Sequence, residues 1–219
     1  MKFLKKYWRI LCAGYVFIYL PWFFTLERIN TLDSPRMHII NVPLDSKIPF
    51  CEYFIIPYVL WFFYIVGVCV YMYFKADNKE FAQIAVMLIA GMSICMLICM
   101  IYPNGITLRP DYIPDNWCGR IVSGLYVTDT STNVFPSIHC YNSMAAHIAL
   151  CKCKAMKKMK YHTPILFISF LLCISIILST MFLKQHSVVD VIGAFILMAV
   201  MYVIVYVIDW KNVIKRKEL

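Results

Sequence analysis

Uncharged and mostly apolar residues fill six long stretches of the chain: 10–26, 53–74, 81–108, 130–151, 161–183 and 191–208. The hydrocarbon core of a bilayer takes roughly 20 apolar residues per crossing helix. The pattern therefore predicts an all-α polytopic membrane protein, a six-transmembrane-helix bundle with helices near 8–26, 53–74, 81–102, 135–151, 163–183 and 189–208. Ser137, His139, Asn142, Ser143 and His147 interrupt the fourth of these. Such side chains are costly against lipid, so they are expected to face the bundle interior. No internal repeat or low-complexity segment breaks the pattern, and a single membrane domain over 1–219 is expected.

Composition agrees with the pattern. Apolar residues make up 62% of the chain and charged residues 15%, against soluble averages of about 45–50% and about 25%. The charges that remain give an orientation. With a cytoplasmic N-terminus, 15 of the 21 basic residues fall in inside segments. They are Lys2, Lys5, Lys6 and Arg9; Lys75 and Lys79; Lys152, Lys154, Lys157, Lys158 and Lys160; and Lys211, Lys215, Arg216 and Lys217. Arg28, Arg36, Lys47, Arg109, Arg120 and Lys184 fall outside. The positive-inside rule selects this arrangement, with both termini cytoplasmic in a multi-pass cell-membrane protein. The net charge of +9 is then explained by topology and anionic head groups, and no nucleic-acid partner is expected. Met1 to Lys6 and the apolar stretch after them imitate a signal peptide, but Thr25-Leu26-Glu27-Arg28 is a poor cleavage site. The stretch is read as an uncleaved first helix.

Two outer segments are longer than turns. The 30–50 segment mixes apolar residues with Asp33, Pro35, Pro43, Asp45 and Pro49, which suits an interfacial lie beside a site. The 103–133 segment reads as a solvated loop carrying Arg109, with Trp117 as an interfacial anchor. Among ten cysteines none has metal-ligand spacing, and Cys51, Cys118 and Cys140 near the outer face leave a disulfide open. No EF-hand, P-loop or dinucleotide signature is present, and neither a metal nor a cofactor is expected.

The residues that packing does not ask for lie at the ends of the apolar stretches. One set is Val134-Phe135-Pro136-Ser137-Ile138-His139; the other is Ser179-Thr180, Lys184-Gln185-His186 and Asp190. Pro136 favours the start of a helix, which puts Ser137, Ile138 and His139 at an N-terminus where free backbone N–H groups suit an anion such as phosphate. On one continuous helix Ser179, His186 and Asp190 fall within an arc of about 40°. His186 and Asp190 are i,i+4 neighbours, so the carboxylate can hold the imidazole in one tautomer and stabilise its charged form. Arg109, Ser137, His139, Lys184 and His186 come from three connections yet share the outer face under the orientation above. Satisfied polar residues inside a helix bundle are the bland alternative. His147 is read as an interhelical hydrogen-bonder, and His38 and His162 have no assigned role.

At these residues the chain resembles the type 2 phosphatidic acid phosphatase family, also called the lipid phosphate phosphatase superfamily. Its motifs are Lys-x6-Arg-Pro, Pro-Ser-Gly-His and Ser-Arg-x5-His-x3-Asp. Arg109-Pro110 matches the end of the first, Pro136-Ser137-x-His139 the second, and Ser179, His186 and Asp190 the third with its spacing intact. Tyr102, Ile138 and Thr180 stand where the family has lysine, glycine and arginine. The Ser-Thr-x-x-x-Lys-Gln-His pattern resembles the branch that contains inositol phosphorylceramide synthase-like enzymes. Lys184 can return one of the missing cations if the helix begins after it or bends there.

The resemblance implies a metal-independent phosphoric ester hydrolase acting on a lipid or isoprenoid phosphate or pyrophosphate at the outer face. It implies His186 as nucleophile through a phosphohistidine, Asp190 as its partner and His139 as the acid for the leaving oxygen. Arg109, Ser137, Ile138 and Lys184 would hold the phosphate oxygens. A transferase passing a phospho-head group to a lipid alcohol, and a membrane protein with no catalytic role, are the alternatives. The pattern does not indicate an oligomeric state.

Overall fold

The computed structural model describes residues 2–209, with side chains from Tyr7 onward. Of the basic residues used for orientation, Lys211, Lys215, Arg216 and Lys217 lie outside the described residues, as do the side chains of Lys2, Lys5 and Lys6. In chain order the elements are α1 (Lys2–Ala13), α2 (Val16–Ile29), β1 (His38–Ile39), α3 (Ile55–Lys75), α4 (Asn78–Ile101) and β2 (Asn104–Gly105). They continue with α5 (Trp117–Thr128), α6 (Ile138–Lys152), α7 (Lys154–Lys157), α8 (His162–Phe182) and α9 (Val188–Tyr202), which ends in a π turn, Val203–Val207. Two 3₁₀ turns, Asp45–Lys47 and Glu52–Phe54, lie between β1 and α3. Among the described residues the protein is thus all-α apart from the two-residue strands β1 and β2, which pair in parallel and tie the 30–50 segment to the residues after α4.

Among the described residues, five helical stretches are long and apolar enough to cross a membrane: Tyr7–Ile29, Glu52–Lys75, Asn78–Ile101, His162–Phe182 and Val188–Val207. The sixth expected crossing, near 135–151, is α6. Its 15 residues rise about 22 Å, short of the roughly 30 Å hydrocarbon core. α6 is the axis of the bundle, running from the Ser137 end to the Lys152 end, and packs against α3, α4, α8 and α9. Cys140, Tyr141, Asn142, Ser143, Met144, Ala145, Ala146, Ala149 and Leu150 are all buried, as a helix enclosed on every side requires. Its polar residues face protein, as expected. His147 Nδ1 lies 2.9 Å from Ser169 Oγ on α8. The outer helices turn large apolar side chains such as Phe17, Phe63, Phe74, Phe167 and Ile196 outward, the surface a hydrocarbon solvent accepts.

Two glycines set the register around α6. A Cβ on Gly91 of α4 would meet the Tyr141 ring at 2.1 Å, and one on Gly193 of α9 would meet the Phe135 ring at 2.4 Å. Tyr141 then lies along α4 and donates to Met87 O at 2.8 Å. At the opposite end from Ser137, a capping box of Asp77 and Glu80 opens α4. Lys154 joins that box, its Nζ 2.7 Å from Asp77 Oδ2 and its N–H donating to Glu80 Oε1 at 2.9 Å. Arg9 closes the same end by donating to Tyr73 O at 2.6 Å and Ala76 O at 3.0 Å.

Three local expectations are corrected. The first apolar stretch is not one helix: the backbone turns at Gly14 and Tyr15, between α1 and α2. The 103–133 segment is not only loop, because Asn116 accepts the Gly119 N–H at 2.9 Å and starts α5. Cys118, Val122 and half-buried Leu125 at helical spacing then bury one face of it. Ser179, His186 and Asp190 do not share a helix, because α8 stops at Phe182 and α9 starts at Val188. All ten cysteines are free thiols.

Candidate active site

The linker between α8 and α9 is shaped by Lys184, whose φ of 52° is left-handed. For a residue with a Cβ this costs about 1–2 kcal/mol, and it allows the chain to fold back on the helix it has left. Leu183 N–H donates to Ser179 O at 2.9 Å, and both Gln185 and His186 donate their N–H groups to Thr180 O, at 2.9 and 3.0 Å. Thr180, standing where the family motif has arginine, thus anchors the His186 turn through its carbonyl. The Ser179 hydroxyl is committed to Ile176 O at 2.6 Å.

His186 is brought to Asp190 by this turn and by the cap of α9, not by a continuous helix. Ser187 is the N-cap and accepts the Val189 N–H at 3.2 Å. Asp190 Oδ2 accepts the Ser187 N–H at 2.8 Å and lies 3.2 Å from His186 Nδ1. An ionised carboxylate only accepts, so this contact puts the ring proton on Nδ1 and leaves the free lone pair on Nε2. Asp190 is fully buried and its Oδ1 has no partner.

His139 lies on the first turn of α6, which Ser137 caps by accepting the Cys140 N–H at 3.4 Å. Asn104 positions the residues before it. Its Oδ1 accepts the Val134 and Phe135 N–H groups at 3.0 and 2.8 Å. Ser137 N–H donates to Asp190 O at 3.2 Å, which joins the start of α6 to the start of α9. Ile138 and His139 keep the orphan N–H groups of any helix start. The His139 ring packs between Tyr58 and Trp61, centroids 4.6 and 4.4 Å away, and stands 5.8 Å from the His186 ring.

Arg109 is held in place by protein acceptors. Nη1 donates to Tyr126 O at 2.8 Å, and Nη2 donates to Asp129 O and to Gln185 Oε1, the latter at 2.7 Å. The guanidinium lies over the Tyr126 ring at 4.1 Å. Burial lowers the Arg109 pKa, while Tyr126 and Asp129 pull it back up, and burial pushes the Tyr126 phenol up to about 12. Arg109 Nε–H has no partner, so one donor of the fork is uncommitted. Lys184 points elsewhere. Its ammonium donates to Asp45 O at 2.7 Å and to Ile48 O. Burial lowers its pKa, partly offset by Asp45.

The structure therefore gathers His139, His186, Asp190, Ser137, Ile138 and Arg109 at one end of the bundle and turns Lys184 towards the 45–48 carbonyls. It also gives roles to residues that the spacing left without one. Gln185 bridges Arg109 to Asp129 Oδ2, at 3.4 Å for the second contact, and Tyr58 donates to that same oxygen at 2.6 Å. Trp61 flanks His139 with its Nε1 unpartnered. Among the described residues no cluster of three or more His, Cys, Asp or Glu side chains is placed to hold a metal ion.

A family model described as the PAP2 superfamily matches residues 80–214, a stretch that carries all of these residues except Asp45, Ile48, Tyr58 and Trp61. No curated protein and no solved structure matches the chain.

Proposed function

Because this chain belongs to the PAP2 superfamily, we propose that it is a membrane phosphatase that hydrolyses a lipid or isoprenoid phosphate through a phosphohistidine. The observation that carries the reading is the facing pair of imidazoles, His139 and His186, with Asp190 on Nδ1 of the second. One ring is prepared to attack and the other to exchange a proton. His186 Nε2 attacks phosphorus, the ester P–O bond breaks, and the leaving oxygen takes a proton from His139. Water then gives a proton to His139 as it attacks phosphorus, and the P–N bond breaks to release phosphate.

The developing charge on the phosphoryl oxygens is met by Arg109, the Ser137 hydroxyl and the N–H groups at the start of α6. Fixed donors of this kind are the main requirement of phosphoryl transfer. The tail of the substrate stays in the bilayer while its head group meets the site. The site lies on the extracytoplasmic side, since the opposite end carries Lys75, Lys79 and the Lys152–Lys160 cluster, and basic residues favour the cytoplasm.

The test is phosphate release by the purified protein in detergent from phosphatidate, phosphatidylglycerol phosphate and an isoprenyl pyrophosphate, with and without a lipid alcohol. Release without the alcohol supports the phosphatase. Product formed only with the alcohol would replace it with a head-group transferase of the same chemistry. No reaction with any of the three would remove the reading.

A further inference from the structure

The 3₁₀ turn Asp45–Lys47 lies outside the 80–214 stretch of the family match, yet it is fastened to the His186 turn at several points. The Asp45 carboxylate is buried, 2% exposed. Its Oδ1 accepts the Val188 N–H at 2.8 Å, and its Oδ2 accepts the Ser187 hydroxyl at 2.7 Å and the Val42 N–H at 2.8 Å. The Lys184 ammonium donates to the carbonyls of Asp45 and Ile48. Cys51 N–H donates to Phe182 O at 3.0 Å, and Phe54 stacks on Phe182 at 4.3 Å. Residues 182, 184, 187 and 188 are thus gripped from the 45–54 segment, on both sides of His186.

α9 does not need Asp45 in order to begin. Ser187 and Asp190 already form a capping box there, which meets the usual requirement of a helix N-terminus. A second buried carboxylate on the same N-terminus, supplied from about 140 residues away in sequence, is surplus to capping. What it adds is location: it fixes where Ser187 and Val188 stand, and so where Asp190 meets the imidazole. We propose that Asp45 is a positioning residue for His186, holding the start of α9 so that Asp190 stays on Nδ1 and the ring keeps its approach to His139. Its effect on rate rests on the phosphoryl-transfer reading above; its effect on the His186 ring does not.

Asp45→Asn keeps the size of the side chain but removes the charge and turns one acceptor into a donor that faces donors. In the purified full chain it should lower kcat for phosphate release by about 10-fold to 100-fold, the range that charge-assisted hydrogen bonds carry, with KM within about twofold. In ¹⁵N-histidine-labelled protein the His186 ring signals, identified by their loss in His186→Gln, should move from a single Nδ1–H tautomer to a mixture. Asp45→Glu, which keeps the charge, should recover part of both. If Asp45→Asn does not fold, Asp45→Glu is read against wild type on the same two measurements. Wild-type kcat and wild-type His186 signals in the variant that folds overturn the proposal, and so does a loss of thermal stability alone. If the wild-type protein turns over no phosphoester, the phosphatase reading falls, and the His186 signals by themselves decide the role of Asp45.

Discussion

The rings of His139 and His186 stand 5.8 Å apart, yet only His186 has a carboxylate on its Nδ1, while His139 is packed by Tyr58 and Trp61. Their surroundings separate their roles. A ring paired with a carboxylate is stabilised when it becomes cationic, as a phosphohistidine nitrogen does. A ring with no such carboxylate has no fixed counter-charge, which suits it to pass a proton on and not to carry a lasting cation.

His186→Ala should therefore abolish turnover and any acid-labile phosphoenzyme. His139→Ala should slow an alkyl phosphate by about 10²–10⁴-fold, the usual contribution of a general acid. It should slow a nitrophenyl phosphate much less, because that leaving oxygen needs no proton. Rates on both substrate types settle the matter, and equal loss on the two would assign the acid elsewhere.

Arg109 and Lys184 should part company in the same assay. Arg109→Ala removes a cation whose Nε–H is uncommitted and should lower kcat/KM by at least about tenfold more than Lys184→Met, since the Lys184 ammonium is already spent on the Asp45 and Ile48 carbonyls. Lys184→Met should lower Tm, because the Asp45 and Ile48 carbonyls lose their donor. A raised KM with an unchanged Tm for Lys184→Met would place its ammonium on the substrate instead.

Gly91→Ala tests the register of α6. The added methyl would sit 2.1 Å from the Tyr141 ring, and overpacking of this kind costs typically about 1–3 kcal/mol. Thermal unfolding in detergent should show a lower Tm, and Gly67→Ala, where a Cβ meets nothing within 4 Å, should show little change. Equal behaviour of the two variants would mean that the ring yields freely.

Sidedness can be read by labelling single cysteines in a cysteine-free variant. Tyr112 and Lys157 are both exposed and lie at opposite ends of the bundle. A cysteine at position 112 should react with an impermeant maleimide on intact cells, and one at 157 only after permeabilisation. The reverse pattern would put the histidines on the cytoplasmic side.

The membrane helices were legible because a bilayer imposes length and composition on every crossing, and α3, α4, α8 and α9 fall close to their expected bounds. α6 was placed to within about three residues at its start by Pro136 and Ser137, but its brevity was hidden. A helix wrapped in protein has no bilayer to match, and the apolar residues before Pro136 made its stretch look longer. The contact of His186 with Asp190 was foreseen for a different geometry. The i,i+4 spacing survives in a turn followed by a cap, although the left-handed Lys184 breaks the helix on which the arc was drawn. α5 was obscured by Gly119, Gly124 and its β-branched residues, with only Asn116 and the spacing of Cys118, Val122 and Leu125 to mark it. Asp45 and Tyr58 could not be singled out, and Gln185 stood in the motif without a role, because each acts on partners brought near by the fold and no local spacing encodes them.

The enclosure of α6 has a consequence for the lipid host. The crossing helices must tilt or stretch to suit the thickness of the bilayer, whereas α6, with Lys152 as its exposed residue, answers only to its neighbours. His139 rides on that insulated core. In reconstituted vesicles of graded acyl-chain length, the depth of the two imidazoles below the head groups should shift with thickness while the distance between them should hold. Catalysis on a substrate soluble in water should then be indifferent to the host lipid, and catalysis on one anchored by its tail should pass through an optimum.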